Sequence, residues 1–293
     1  MKAETAVIPV AGWNIHTEHY RSPQADRTFL LVNGSLSTTA SFAQTVRYLY
    51  PRFNVVLYDA PYAGRSKAYN VSGVCLGKER EADILLGLIE RFSADYLMAF
   101  SWGGIAALMA LTRRPPTVEK AVIASFAPTF NEAMLDYLRR GLEHLRRADR
   151  ERVAGLVNAT IGQHLPALYK RYNRRHIVGL DLHEYVQMHA HIRQMLDLEA
   201  RDYCRDFATI DIPLLFVNGE RDAYTPPADA RRFAALIEDS RFATIANAGH
   251  FLDMEHKRAC EATRDAILGF LRPAATKPGP LQPLRPTMQA LAG

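Results

Sequence analysis

Cysteine is scarce. Cys75, Cys204 and Cys260 are odd in number, widely spaced and free of any CxxC pattern, which excludes both a disulfide framework and a zinc-thiolate site. This usage predicts a reducing, cytoplasmic compartment. No apolar run approaches the roughly 18 residues a membrane-spanning helix needs, and the opening Met1-Lys2-Ala3-Glu4-Thr5 lacks the apolar stretch of a secretory signal. HExxH, GxGxxG and P-loop patterns are missing as well, so neither a metal nor a nucleotide cofactor is expected. Charge of one sign is not in large excess. Thirty-six Lys and Arg against 31 Asp and Glu leave a net +5, which permits an acidic partner but does not call for nucleic acid. No internal repeat is present.

What the sequence does hold is an ordinary globular balance, 48% hydrophobic and 23% charged over 293 residues, enough to bury a sizeable core. Short apolar runs recur at 5–10, 28–32, 53–58, 96–100, 120–126, 213–217 and 242–246. Several are continuous rather than alternating, as in strands buried on both faces of a parallel sheet. Helical patterns separate them at 79–92, 104–112, 227–237 and 255–271. Strands alternating with helices predict an α/β fold with a mostly parallel central sheet flanked by helices.

The alternation breaks over 129–200, where Leu, Met, Arg and His recur at helical spacing. The expected organisation is a core in two parts, 1–128 and 201–272, with a helical cap inserted at 129–200. That insertion leaves the carboxyl edge of the sheet, where α/β folds keep their ligands, so it should act as a lid. A tail over 273–293 carries Pro273, Pro278, Pro280, Pro283 and Pro286 and is expected to be disordered.

Chemistry concentrates at 96–111. A strand, the turn Ser101-Trp102-Gly103-Gly104 and a helix form the context of a nucleophile elbow, where the serine hydroxyl projects from a strained turn. Small neighbours two residues away let that turn close, and Ala99 and Gly103 supply them. A serine needs a base oriented by an acid, following in the order Ser, acid, His after later strands. Asp222 and His250 occupy those places. The oxyanion of acyl transfer needs backbone donors, assigned to the N–H of Trp102 and of Ser35 in the loop Asn33-Gly34-Ser35-Leu36. Asn33 stands where many hydrolases of this fold carry histidine.

The segment 59–66 is rich in turn formers and is expected to be structural. His183, His189 and His191 are expected to be surface or lid histidines. Arg139, Arg140, Arg146, Arg147, Arg150, Arg152, Lys170, Arg171, Arg174 and Arg175 make the cap basic, either as solvated helix faces or as a dock for an acidic carrier protein. Charge reversal at Arg146 and Arg147 is expected to weaken use of carrier-bound substrate. Met134, Leu135, Tyr137, Leu138 and Leu142 either line an acyl tunnel or pack the lid.

With these motifs in place, the sequence resembles the α/β-hydrolase superfamily over about 5–272. More narrowly, it resembles the 3-(3-hydroxyalkanoyloxy)alkanoate synthase family of rhamnolipid biosynthesis. The likeness rests on Leu31-Val32-Asn33-Gly34, Thr38-Thr39-Ala40-Ser41-Phe42-Ala43, Phe53-Asn54-Val55-Val56-Leu57, Ala63-Gly64 before Ser66, and Ser101-Trp102-Gly103-Gly104-Ile105. It continues through Ala127-Pro128, Ala133-Met134-Leu135-Asp136-Tyr137 and Gly249-His250-Phe251-Leu252-Asp253. Asn33 and Ala99 belong to that narrower pattern.

The resemblance implies an acyltransferase that joins two 3-hydroxyacyl units, supplied on acyl carrier protein or coenzyme A, through an acyl-Ser101 intermediate. Its implied product is the lipid precursor of rhamnolipid biosurfactants. Asn33, Leu36, Met134, Tyr137 and Phe251 are the residues expected to touch substrate. A lipid-making enzyme of this kind can rest on the inner face of a membrane without spanning it. The rival expectation is a serine esterase or thioesterase with the same triad and water as acceptor.

Overall fold

The computed structural model describes residues 2–71, 73–197 and 203–272. Eight strands form one sheet: β1 Glu4–Val10, β2 Trp13–Tyr20, β3 Thr28–Val32, β4 Asn54–Tyr58, β5 Tyr96–Phe100, β6 Lys120–Ala124, β7 Leu214–Gly219 and β8 Ser240–Ile245. Their spatial order is β1-β2-β4-β3-β5-β6-β7-β8. β1 and β2 pair antiparallel, as do β2 and β4, and the remaining pairs are parallel.

Burial on both faces explains why the central strands read as unbroken apolar runs. Leu30 and Val32 of β3 face one buried cluster, while Phe29 and Leu31 face another on the opposite side of the sheet. Helices cover both faces: α1 Ala43–Leu49, α2 Lys78–Phe92, α3 Gly103–Leu111 and the final helix α9 Lys257–Leu271. The apolar face of α2 turns Ala82, Ile84, Leu85, Leu88 and Ile89 inward, and Ser93 closes the helix in the left-handed conformation at φ 46°.

Between β6 and β7 the chain runs through α4 Glu132–Arg146, α5 Arg150–Ala159, α6 Ala167–Gly179 and α7 Leu182–Asp197. Asn131 caps α4 by accepting from Met134 N, and Asp149 caps α5 by accepting from Arg152 N. The capped starts fix how each helix enters the layer. Met134, Leu138, Leu145, Val153, Val157, Ile177, Met188 and Ile192 turn inward and join the cluster that also holds Trp102 and Ile105.

Three elements differ from the expected string. β2 has no counterpart in it, because Asn14, His16, Glu18 and His19 interrupt its apolar positions on the antiparallel side of the sheet. α1 has none either, being only seven residues long. The helix expected at 227–237 is a short turn, α8 Pro227–Ala230, followed by the 3-10 segment Arg231–Ala235. The tail at 273–293 lies outside the described residues. No helix among the described residues is long and apolar enough to cross a membrane.

Candidate active site

Ser101 sits at the end of β5 with φ 51°, a left-handed conformation that costs a residue with a Cβ about 1–2 kcal/mol. Two backbone bonds fix it: Ser101 N donates to Ala124 O of β6 at 2.8 Å, and Gly104 N donates to Ser101 O at 2.8 Å. Gly103 must be glycine, since a Cβ there would lie 2.4 Å from Asn33 O. The turn therefore closes against the loop after β3.

The segments after β7 and β8 deliver the partners. His250 Nε2 lies 3.0 Å from Ser101 Oγ, and His250 Nδ1 lies 2.8 Å from Asp222 Oδ2. Asp222 Oδ1 accepts from Tyr224 N at 2.9 Å and Thr225 N at 3.1 Å, while Oδ2 also accepts from Thr225 Oγ1 at 2.5 Å. Burial pushes the Asp222 carboxyl upward, but His250 and these donors outweigh it and hold the group below the ordinary carboxylate range. An ionised Asp222 fixes the proton on His250 Nδ1 and leaves Nε2 free to accept from Ser101.

The main chain around His250 is held from several points. Ser125, itself at φ 51°, donates its Oγ to His250 O at 2.6 Å. Glu255 accepts from Gly249 N at 2.6 Å and from Phe251 N at 3.1 Å. Sequence reasoning misses both residues. The six-residue interval from Gly249 to Glu255, just past the expected histidine, is the signal available for one of them.

The loop 33–36 lies against this relay. A Cβ on Gly34 would come within 3.1 Å of Phe100 O and 3.3 Å of Ser101 Cβ, so the absent side chain is what lets the loop approach. Asn33 Nδ2 donates to Tyr58 O at 2.8 Å and ties the loop to β4, while its Oδ1 is buried without a partner. Leu36 has φ 56°, and its carbonyl accepts from His176 Nε2 of α6 at 2.7 Å. Asp59 supports the loop from behind, accepting from Thr39 N at 2.9 Å and Arg65 N at 2.8 Å. That is the structural task expected of 59–66.

A cavity of about 380 Å³ opens over Ser101 and His250. Ser35, Trp102, Asn33, Leu36, Met134, Tyr137 and Phe251 all line it, so the expected site residues meet at one place. One side is formed by the inserted helices through Leu138, Gly141, Leu156, Ile177 and Ile192. The other runs into the core through Phe42, Met98, Phe100 and Leu252. Leu135 and Leu142 are not part of the wall; Leu142 packs against the core cluster.

His191 belongs to the lid, as expected, but not to its surface. Only 3% exposed, it lies within hydrogen-bonding distance of Leu76 O at 2.7 Å and 3.3 Å from Glu81 Oε1. Burial, helped by the Lys78 ammonium, pushes its imidazole down to about 4. It is neutral at physiological pH. His191, Gln187, Lys78, Glu81 and Tyr62 surround a second cavity of about 50 Å³ behind the loop 33–36. His183 and His189 are half-buried on α7, and His183 Nδ1 accepts from Gly73 N at 3.3 Å. Among the described residues, no group of three or more His, Cys, Asp or Glu is placed to hold a metal ion.

Known proteins share both the sequence and the fold. The chain is 58% identical over 279 residues to an (R)-3-hydroxydecanoyl-ACP:CoA transacylase of Pseudomonas aeruginosa, covering 95% of this chain and 93% of that one. It is 53% identical to the protein of the same name from Pseudomonas putida, with 95% of each covered. Among solved structures, the enol-lactonase of Burkholderia xenovorans LB400 superposes with a TM-score of 0.73 at 19% identity, covering 91% of this chain and 99% of that one. A thermophilic esterase of Thermogutta terrifontis gives 0.72 at 20%, covering 92% and 98%. Those two likenesses concern the fold. The model of the alpha/beta hydrolase family matches residues 29–263, and the chain belongs to that family.

Proposed function

We propose that this protein is an acyltransferase that takes a 3-hydroxyacyl group from a carrier thioester onto Ser101 and passes it to a second acceptor. The observation that carries the reading is the Ser101–His250–Asp222 relay, at 3.0 and 2.8 Å, opening on a large apolar cavity. The (R)-3-hydroxydecanoyl-ACP:CoA transacylases support the acyl class and the carrier.

In the first half-reaction Ser101 Oγ attacks the thioester carbon and His250 Nε2 takes the serine proton. The N–H groups of Ser35 and Trp102 face the oxyanion of the tetrahedral intermediate. Collapse breaks the C–S bond, and His250 returns the proton to the departing thiolate. In the second half-reaction an acceptor X–H attacks acyl-Ser101, His250 again takes the proton, and Ser101 is restored. The inserted helices α4 to α7 exclude water, because water at this step gives only free acid.

Two acceptors fit the cavity. The hydroxyl of a second 3-hydroxyacyl thioester gives a 3-(3-hydroxyalkanoyloxy)alkanoyl thioester, and cleavage of its C–S bond by water releases the 3-(3-hydroxyalkanoyloxy)alkanoate, the precursor of rhamnolipids, with the free carrier thiol; the cavity's two sides, one in the cap and one in the core, offer a place for each acyl group. The thiol of coenzyme A gives an acyl-CoA, the reaction named for the two Pseudomonas relatives. The test supplies purified protein with 3-hydroxydecanoyl acyl carrier protein, with and without free coenzyme A, and identifies products by mass spectrometry. An ester-linked dimer or an acyl-CoA that requires Ser101 supports transfer and names the acceptor. Free 3-hydroxy acid alone overturns transfer and leaves thioester hydrolysis as the activity.

A further inference from the structure

Basic side chains crowd the inserted helices, but those near the end of α4 are paired with carboxylates of their own helix. Arg147 pairs with Glu143 at 2.5 Å, Arg146 lies 3.5 Å from the same carboxylate, and Arg140 pairs with Asp136 at 3.2 Å. Arg146 and Arg147 stand at the carboxyl end of α4, next to Leu145, which lines the cavity. The place expected for docking is thus already paired within its own helix.

α6 is different. It carries Lys170, Arg171, Arg174 and Arg175 and no acidic residue. Lys170 Nζ donates to Gln163 O at 2.7 Å, and Arg174 pairs with Glu151 at 2.7 Å, both toward the α5 side. Arg171 and Arg175 are exposed, and neither guanidinium has a partner among the described residues.

The helical period places those two groups. Tyr169, Tyr172, Asn173 and His176 recur at i, i+3, i+4 and i+7 and line the cavity over Ser101. At 100° per residue, Tyr172 stands at the edge of that stripe, and Leu168, Arg175 and Arg171 follow in turn around the helix away from α5. Leu168 is 51% exposed and Tyr172 58%. Tyr172 therefore edges the cavity, exposed Leu168 stands next to it, and the two uncompensated guanidinium groups follow on the outer face of α6.

We propose that Arg171 and Arg175 bind the phosphate of the phosphopantetheine arm that delivers the acyl thioester, with Tyr172 and Leu168 against the arm. This rests on the thioester chemistry of the proposed function. Acyl carrier protein and coenzyme A both carry that arm, anionic at its outer end and a thiol at its inner end, so charge complementarity names the occupant. One anchor then serves a donor and an acceptor that enter in turn. Arginine suits it, because its planar fork takes two phosphate oxygens at once.

The test measures binding on a Ser101→Ala background, where no turnover is needed, and turnover on the otherwise native protein. The double variant Arg171→Gln/Arg175→Gln is compared with Arg146→Gln/Arg147→Gln. Ligands are 3-hydroxydecanoyl-CoA, 3-hydroxydecanoyl acyl carrier protein, and the N-acetylcysteamine thioester, which has the thioester but no phosphate. The expected result is a rise of about tenfold or more in Kd, and in KM rather than kcat, for both phosphorylated ligands. The N-acetylcysteamine thioester and the Arg146/Arg147 variant stay unchanged.

Equal weakening for all three ligands overturns the phosphate contact and marks a folding defect. Loss with the carrier protein alone also overturns it, in favour of a protein-only contact. Unchanged Kd for all three, with binding to phosphatidylglycerol vesicles lost instead, assigns the face to a membrane and overturns it too. A native protein that releases only free acid while the arginine dependence persists defeats the transfer reading and leaves the anchor standing.

Discussion

At the residue scale, the site depends on which lone pairs are already occupied. Asp222 spends its acceptor positions on two backbone N–H groups, the Thr225 hydroxyl and His250. Asp222→Asn keeps the shape but can present an N–H to His250, which favours the wrong tautomer. We expect kcat to fall by about 10³–10⁴-fold with little change in Tm, read by steady-state kinetics and thermal melting. Ser101, Asp222 and His250 are legible in the sequence because each stands just after an expected strand, in the right order. Ser35 and Trp102, expected from their positions relative to those strands, line the cavity beside the relay. Ser125 and Glu255 are not legible, since their contacts to the His250 segment depend on how β6 and the last loop meet in space.

At the element scale, α4 illustrates a helix shaped for a cavity. Gly141 sits mid-helix, where glycine costs about 1 kcal/mol relative to alanine, and an added Cβ would meet only Ile192 Cδ1 at 3.6 Å and Leu156 Cδ2 at 4.0 Å. The space left by its missing side chain belongs to the cavity wall. Gly141→Val should shift preference toward shorter acyl groups, each excluded methylene costing about 0.8 kcal/mol, or about fourfold in kcat/KM. Rates across a series of acyl lengths would show it, and Tm should not fall. The helical character of the insertion is plain from its period. Which side chains face substrate is not: Met134, Tyr137 and Leu138 line the cavity while Leu135 and Leu142 do not, a difference set by the neighbours of α4. β2 is illegible for a related reason, because a strand with both polar and apolar residues on its flanks loses its alternation.

At the scale of the whole molecule, the insertion is locked to the core by polar contacts as well as by apolar packing. His176 reaches the loop after β3, Lys67 lies 2.8 Å from Asp181 and 2.7 Å from Glu184 of α7, and Gln187 and His191 bond the main chain at Leu76. His191 makes one of these pH-sensitive. Its folded value near 4 lies below the ordinary 6.5, so between those values the unfolded chain takes up a proton that the folded chain refuses. The contribution of His191 to stability is full above about pH 6.5 and falls by up to about 1.4 kcal/mol per pH unit below it, to a loss of about 3 kcal/mol near pH 4. Lys78 adds to that refusal, whereas Glu81 opposes it. Urea unfolding at pH 7, 6, 5 and 4 should show this slope in the native protein and a shallower one in His191→Gln.

Ser101 and Leu36 share a left-handed backbone although neither is glycine, and both line the cavity, while Ser125, also left-handed, holds the His250 carbonyl. Of two inert variants, Ser101→Gly should therefore outlast Ser101→Ala, melting about 2–4 °C higher, because only glycine occupies φ 51° without steric penalty. Thermal melting of the pair would weigh the strain directly. Backbone strain is thus stored at the residue proposed to carry the acyl group.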